Sequence, residues 1–264
     1  MLNILVCVKQ VPDVNLVKMD PVTGSLIRKG VPAILNPLDA NALEAAVRLK
    51  EAYGGTVTAV TMGPDQAEEA LRECLSCGAD RAVLLSDRAF ANADTLATSY
   101  VIAAAAGTLG SFDLIFCGKE SLDGATGQMA SQLAERFGAS QMSCVEKILS
   151  LDEKSRRVTA LRELENGRQL MEADLPCLMT VEKSQYRPRI PNLTRWKASR
   201  SAQILRLDSR SIPGLDSEQI GDSGSPTKVP RTYPPKLGEP GRILDEGSVE
   251  KTVESLLGLL AQRQ

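Results

Sequence analysis

Leu2-Asn3-Ile4-Leu5-Val6-Cys7-Val8 is a short, almost uninterrupted apolar run, the pattern of a strand buried on both faces of a parallel sheet. Asn36-Pro37-Leu38-Asp39 then opens a helix. Asn36 suits the cap, Pro37 the first helical position, and Asp39 the positive end of the helix. Ala42, Leu43, Ala46, Val47 and Leu49 recur at helical spacing, and Gly54-Gly55 ends the run. The unit repeats. Residues 56–62 read as a second strand, a helix from Gly63-Pro64 stops at Gly78, and residues 81–85 read as a third strand. Asn92 or Asp94 caps the next helix, residues 113–117 read as a fourth strand, and a glycine-containing loop over 118–128 leads into a helix to about Phe137. Such alternation with short connections predicts an α/β fold with a doubly wound, mostly parallel sheet. Ligands bind such sheets beyond the carboxyl ends of the strands, near the switch point. That singles out the loops 7–13, 62–64, 86–98 and 118–128.

Downstream the pattern changes. Residues 145–149, 158–164, 169–173 and 178–181 read as strands joined by tight turns, with Glu165-Asn166-Gly167 as a hairpin signal. They predict an antiparallel extension of the sheet. Residues 213–240 hold six of the fourteen prolines, Pro213, Pro226, Pro230, Pro234, Pro235 and Pro240, and few apolar residues. That stretch is expected to lie extended across another surface. Residues 248–260 then read as an amphipathic helix with Val249, Val253, Leu256, Leu257 and Leu260 on one side. The expected organisation is an α/β domain over 1–200 and an extended arm with a C-terminal helix over 201–264.

Composition excludes several functions. Lys and Arg total 31 against 33 Asp and Glu, and no long basic block occurs, so nucleic-acid binding has no support. The 264 residues include no histidine. This rules out Ser-His-Asp and Cys-His nucleophile systems within the chain, most zinc enzymes and any histidine base. Chemistry must come from a bound cofactor, from Lys, Asp, Glu or Cys, or from a partner chain. Aromatic residues are 3%, so a ligand is expected to lean on aliphatic walls and backbone groups. The start, Met1-Leu2-Asn3-Ile4, lacks a basic region followed by a cleavage site, which predicts a cytoplasmic protein with reduced thiols. No apolar run approaches the roughly 18–20 residues of a membrane span. Cys74-x-x-Cys77 has redox-pair spacing, but late in a helix such residues simply share a face, and no thioredoxin-like unit surrounds them.

Two stretches carry chemistry in their residue types. In the loop from Gly118 to Gln128, glycines permit close backbone approach, and Thr126 with amides at a helix start can hold phosphate oxygens. Neither common phosphate fingerprint is present, and an ordinary connecting loop accounts for the same residues. In Asp94-Thr95-Leu96-Ala97-Thr98-Ser99-Tyr100, the hydroxyls of Thr95 and Thr98 can face one anion together with the N-terminal amides. The alternative is a capped helix whose threonines satisfy local backbone. Lys9 either neutralises phosphate or is solvated. Arg187, Arg189, Arg195, Lys197 and Arg200 surround Trp196 as a solvated surface or as a face for an acidic partner.

Together these segments resemble the small (beta) subunit of electron-transfer flavoproteins over roughly residues 1–200. The carriers are Ile4-Leu5-Val6-Cys7-Val8-Lys9-Gln10-Val11-Pro12-Asp13, Asn36-Pro37-Leu38-Asp39 with its helix, Gly63-Pro64 through Gly78-Ala79-Asp80-Arg81, and Gly118-Lys119 through Asp123-Gly124 and Thr126-Gly127-Gln128. Pro188-Arg189-Ile190-Pro191-Asn192-Leu193 with Trp196-Lys197-Ala198 looks like a shorter form of the family signature. The resemblance implies a Rossmann-like, adenine-nucleotide-binding fold. It also implies a heterodimer with a larger alpha subunit, which carries the electron-transferring FAD.

In that family the small subunit holds either structural AMP or, in electron-bifurcating members, a second FAD. The run from Ser86 through Phe90, Asp94, Thr95 and Thr98 to Tyr100 looks like the bifurcating type. The implied cofactor residues are Cys7, Val8, Lys9, Asn36, Asp39, Thr61, Met62 and Gly63 at the adenosine end. Phe90, Asp94, Thr95, Thr98, Cys117, Gly118, Lys119, Asp123, Gly124, Ala125, Thr126, Gly127 and Gln128 complete the set. Neither a metal nor a catalytic side chain is implied. By this resemblance NADH delivers hydride to the small-subunit FAD. One electron then goes to ferredoxin or flavodoxin. The other goes through the alpha-subunit FAD to an acyl-CoA dehydrogenase-like or other flavin dehydrogenase. Leu193 matches, with a one-residue gap, the leucine that the family presents to partner dehydrogenases, and Arg195, Trp196 and Lys197 adjoin it. The competing expectations are a conventional subunit holding AMP and an ATP-binding regulatory module. The glycine pattern such modules use for triphosphate is not evident.

Overall fold

The computed structural model describes residues 1–13, 18–19, 26–27, 31–181, 186–228, 241 and 243–261. In chain order the strands are β1 (Leu2–Cys7), β2 (Gln10–Pro12), β3 (Lys18–Met19), β4 (Leu26–Ile27), β5 (Ala33–Leu35), β6 (Gly55–Met62) and β7 (Arg81–Leu85). They continue as β8 (Leu114–Gly118), β9 (Ser140–Asp152), β10 (Arg157–Leu164), β11 (Gly167–Asp174), β12 (Cys177–Val181) and β13 (Leu205–Leu207). The helices are α1 (Pro37–Tyr53), α2 (Glu68–Cys77), α3 (Thr95–Leu109), α4 (Met129–Phe137), α5 (Leu193–Ser201) and α6 (Val249–Ala261).

The main sheet has the order β11-β10-β9-β12-β8-β1-β6-β7-β13. From β9 to β13 neighbouring strands run parallel, and β10 and β11 continue the sheet antiparallel. Strand alternation splits the core into two layers. Ile4, Val6, Val57, Ala59, Leu114 and Phe116 point towards α1 and α2. Leu5, Cys7, Val60, Val83, Ile115 and Cys117 point towards Val101 and Ile102 of α3 and Leu133 of α4. Helices on both faces explain why the central strands are apolar without alternation. Each fully buried Leu or Ile side chain contributes about 1.5–3 kcal/mol.

The doubly wound α/β expectation holds, with one correction to the antiparallel extension. The strand expected over 178–181 is β12, which lies between β8 and β9 and is parallel to both. All five of its residues are buried, the mark of a strand covered on both faces rather than of a half-exposed extension strand. Among the described residues, the antiparallel part of the main sheet is the β9-β10-β11 meander, and β2 with β5 and β3 with β4 form separate antiparallel pairs. A second difference is α5, capped by Asn192, whose side chain accepts from the Arg195 N–H at 2.8 Å. It packs on α2, where the Arg72 guanidinium donates to the carbonyls of Ser199 and Arg200 at 2.5 and 3.1 Å.

After residue 200 the chain adds β13 to the β7 edge. It then runs back across the α3 side, burying Ile212 and Ile220. The stretch expected to lie extended thus lies, up to Lys228, across this domain. Pro230, Pro234, Pro235 and Pro240 lie outside the described residues. The helix expected over 248–260 is α6, none of whose residues is buried. No helix among the described residues is long and apolar enough to cross a membrane.

Candidate functional site

The sheet order reverses between β1 and β8: β6 follows β1 on one side, and β8 lies on the other. Crevices of doubly wound sheets open at this point. Cys7 ends β1 and Gly118 ends β8, and the start of α1 stands over both. Asp39 joins the two strand ends. Its Oδ2 accepts from the Lys9 N–H at 2.8 Å and its Oδ1 from the Gly118 N–H at 2.9 Å. A Cβ at position 118 would lie 2.5 Å from Asp39 Oδ1 and 2.7 Å from the Leu38 carbonyl carbon. Only glycine lets α1 and β8 come this close.

Asn36 does not cap α1 with its side chain, which corrects the capping expectation. It is fully buried and reaches the 118–128 loop instead. Its Nδ2 donates to the Glu120 carbonyl at 2.9 Å, and its Oδ1 accepts from the Leu122 N–H at 3.3 Å. Pro37 at the first helical position starts the helix without that bond. Lys9 is paired: its Nζ donates to Asp123 Oδ1 at 2.8 Å. Asn36, Asp39 and Lys9 therefore fasten the two loops of the crevice to each other.

Burial pushes the Asp39 carboxyl up to about 7, against the pull of the Lys9 and Gly118 N–H groups, Asn36 and the Lys9 charge. Beneath it, burial and the Asp39 charge push the Cys7 thiol up to about 12, and burial raises Cys117 as well. These thiols are inert walls, since the thiolate is the reactive form. For Asp123, partial burial raises the carboxyl, but bonds from Lys9 and Ser121 and the Lys9 charge outweigh it and hold it low.

A second group of residues meets the 118–128 loop from α3. Asp94 caps this helix, accepting from the Ala97 N–H at 3.1 Å. The Thr95 hydroxyl donates to Gln128 Oε1 at 3.1 Å, so the start of α3 touches the end of the loop. Gly124, Thr126 and Gln128 are exposed there, and Ala125 and Gly127 take the left-handed conformation. Thr98 is half-buried in the same helical turn. At the end of β6, Thr61 is buried, and its Oγ1 has no hydrogen-bond partner among the described residues.

The expected residues separate into groups. Cys7, Val8, Lys9, Asn36, Asp39, Cys117, Gly118, Lys119 and Asp123 gather at the switch point. Thr95 and Gln128 form the second contact. Met62 and Gly63 close the end of β6. Phe90 is buried in the core layer that also holds Leu5 and Ile220. Leu193, Arg195, Trp196 and Lys197 lie exposed on α5. Arg136 of α4 carried no local sequence signal. It donates to Ser99 Oγ at 2.9 Å and stacks over the Tyr100 ring at 5.2 Å, bracing the first turns of α3.

A family model described as the electron transfer flavoprotein domain matches residues 23–210. The electron transfer flavoprotein subunit beta of Thermoanaerobacterium thermosaccharolyticum is 42% identical over 262 residues, 99% of each chain. The caffeyl-CoA reductase-Etf complex subunit CarD of Acetobacterium woodii is 43% identical over 263 residues, 99% of each chain. Protein FixA of Azotobacter vinelandii is 45% identical over 237 residues, 88% of this chain and 84% of FixA. With the ends of β1 and β8 joined through Asp39 at the switch point of a doubly wound sheet and this likeness along its length, the chain belongs to the electron transfer flavoprotein family, among its beta (small) subunits.

Proposed function

We propose that the chain is the small subunit of a heterodimeric electron transfer flavoprotein and that its crevice holds FAD rather than AMP. The observation that carries this reading is the contact between Thr95 and Gln128. It brings a second helix start to a loop that by itself suffices for one phosphate. A pyrophosphate needs donors from both. The donor set fits. The hydroxyls of Thr95, Thr98 and Thr126 and nearby amides are neutral donors, and the buried Thr61 hydroxyl is a polar atom without a partner among the described residues.

Bound there, FAD supplies hydride acceptance from NADH and division of the electron pair between ferredoxin or flavodoxin and, through the alpha-subunit FAD, a flavin dehydrogenase. The chain's own residues bind and orient. Gly118 and Asp39 set the spacing of the two strand ends, Thr98 and Thr126 donate to phosphate oxygens, and Thr95 does so once its hydrogen turns from Gln128 Oε1 to the ligand. Aliphatic walls and the unreactive thiols of Cys7 and Cys117 exclude water. A chain without histidine suits a task in which no side chain moves the reacting proton.

Ile190, Leu193 and Trp196 are exposed around α5. With Arg195 and Lys197 they form the face for the partner dehydrogenase, acyl-CoA dehydrogenase-like or otherwise. The relative named as a subunit of a caffeyl-CoA reductase-Etf complex supports a partner of this kind. The apolar side of α6 docks on the alpha subunit, and the complex works in the cytoplasm.

The test is the nucleotide content of the purified two-subunit complex, measured by acid release and chromatography. Two FAD and no AMP per heterodimer is expected. One FAD and one AMP would overturn the FAD assignment and leave this chain a scaffold.

A further inference from the structure

The segment from β13 to Lys228 is fastened across the start of α3 at several points. Asp87 accepts from the Ser209 hydroxyl at 2.6 Å and its N–H at 3.0 Å. These bonds, with the Ala89 N–H, hold the Asp87 carboxyl down at about 2. The Tyr100 hydroxyl accepts from the Asp216 N–H at 3.0 Å. At Gly221, with φ +53°, an added Cβ would lie 2.2 Å from the Ala89 carbonyl oxygen. The backbone of the segment is therefore pressed directly onto the loop before α3.

The last fastenings reach the capping residue itself. The Asp94 N–H donates to Ser225 Oγ at 2.8 Å, and that hydroxyl donates to the Gly221 carbonyl at 2.6 Å. Ser225 is buried. The Thr227 N–H donates to Asp94 Oδ2 at 3.0 Å, while Oδ1 of the same carboxylate caps the helix through Ala97. One carboxylate oxygen thus serves α3 and the other serves the segment. Thr95, the next residue, is the one whose hydroxyl meets Gln128.

We propose that Ser225 and Thr227 are positioning residues for the second phosphate of the bound nucleotide: by fixing Asp94 from both its N–H and its Oδ2, they hold the first turn of α3 where Thr95 and Thr98 reach that phosphate. This rests on the reading that the crevice takes a pyrophosphate. The first phosphate lies by the 118–128 loop, which is fastened through Asn36 and Asp39 rather than through Ser225 or Thr227. The two fastenings therefore act on different parts of one ligand. Loss of the segment's grip weakens a diphosphate and spares a monophosphate.

The test measures ADP and AMP affinities by titration calorimetry on the two-subunit complex freed of its small-subunit nucleotide. The variants are Ser225→Ala, which leaves the Asp94 N–H without its acceptor, and Thr227→Pro, which deletes the donor to Oδ2. A Thr95→Val/Thr98→Val double variant is the control for the reading beneath. Each segment variant is expected to weaken ADP about tenfold, the size of one lost hydrogen bond to a charged group, with AMP affinity unchanged. Retained AMP affinity also shows that the variant folds. If the threonine control loses its preference for ADP and both segment variants keep theirs, the positioning role is wrong and the pyrophosphate reading stands. If the segment variants weaken ADP and AMP equally, their role is general folding and the proposal fails. If the threonine control keeps its preference, the pyrophosphate subsite fails and the proposal with it.

Discussion

Gly118→Ala adds a single methyl group where the start of α1 meets the end of β8. The new carbon would lie 2.5 Å from Asp39 Oδ1, 2.7 Å from the Leu38 carbonyl carbon and 2.8 Å from Leu38 Cβ, where ordinary contact begins near 3.4 Å. The Leu38 atoms are backbone and Cβ, and the Asp39 carboxylate is held at both oxygens by the Gly118 and Lys9 N–H groups. Relief therefore requires that α1 lift from β8 or that the last peptide of β8 turn away. Either movement breaks the Gly118 N–H bond to Asp39, 2.9 Å long. Overpacking costs about 1–3 kcal/mol, and the lost bond to a buried carboxylate about 1.5–3 kcal/mol. The sum is about 2.5–6 kcal/mol, a large part of the roughly 5–15 kcal/mol that holds a domain folded. At about 2–4 °C per kcal/mol for a domain of this size, the melting temperature falls by about 5–24 °C. Differential scanning calorimetry of the two-subunit complex reads this, and titration with AMP reads the loosening of the first phosphate site. A variant melting within about 2 °C of the parent, with unchanged AMP affinity, would refute the view that Gly118 sets the spacing of α1 and β8.

Two further predictions concern ionisable groups. Burial raises the Asp39 carboxyl from 3.8 to about 7. The stability this provides is complete below 3.8 and is lost as the pH rises through 7. Without nucleotide, the parent should therefore lose stability between pH 4 and 7 more steeply than Asp39→Asn, which keeps only the contribution of groups such as Glu73, also raised by burial. Urea midpoints at several pH values decide the matter, and parallel slopes for both proteins would sink the assignment. Cys74 and Cys77 are buried, and burial raises both thiols, so neither offers the thiolate that redox exchange needs. A Cys74→Ala/Cys77→Ala variant should melt lower yet transfer electrons at the parental rate per bound FAD. A large fall in that rate at full FAD content would assign the pair a redox role.

Much of the α/β frame was legible in the residues because its causes are local. Leu2–Cys7, Gly55–Met62, Arg81–Leu85 and Leu114–Gly118 are apolar runs bounded by breakers, and Asp94 is a helix cap in sequence and in structure. The path of β12 is not legible locally because its neighbours in the chain form a hairpin, although its unbroken burial marks a central strand. Asn36 shows the limit from the other side. Asparagine before Pro-Leu-Asp is a good cap by residue type, yet its amide turns to a loop more than eighty residues away. Residue type fixes what a side chain can bond, and only the fold decides which partner arrives.

The sequence by itself determined the alternation of strand and helix, the two-sided burial of the central strands, the absence of any histidine-based chemistry and the family. These follow from composition, from periodicity and from motifs that survive without coordinates. The tertiary structure decided that Asp39 joins the ends of β1 and β8, that the start of α3 meets the 118–128 loop through Thr95 and Gln128, and that Ser225 and Thr227 grip Asp94 across more than 130 residues of chain. Each is a hydrogen bond between groups far apart in the chain. Its strength depends on a distance of about 3 Å, and that distance is set only when the sheet has closed and both helical layers have packed.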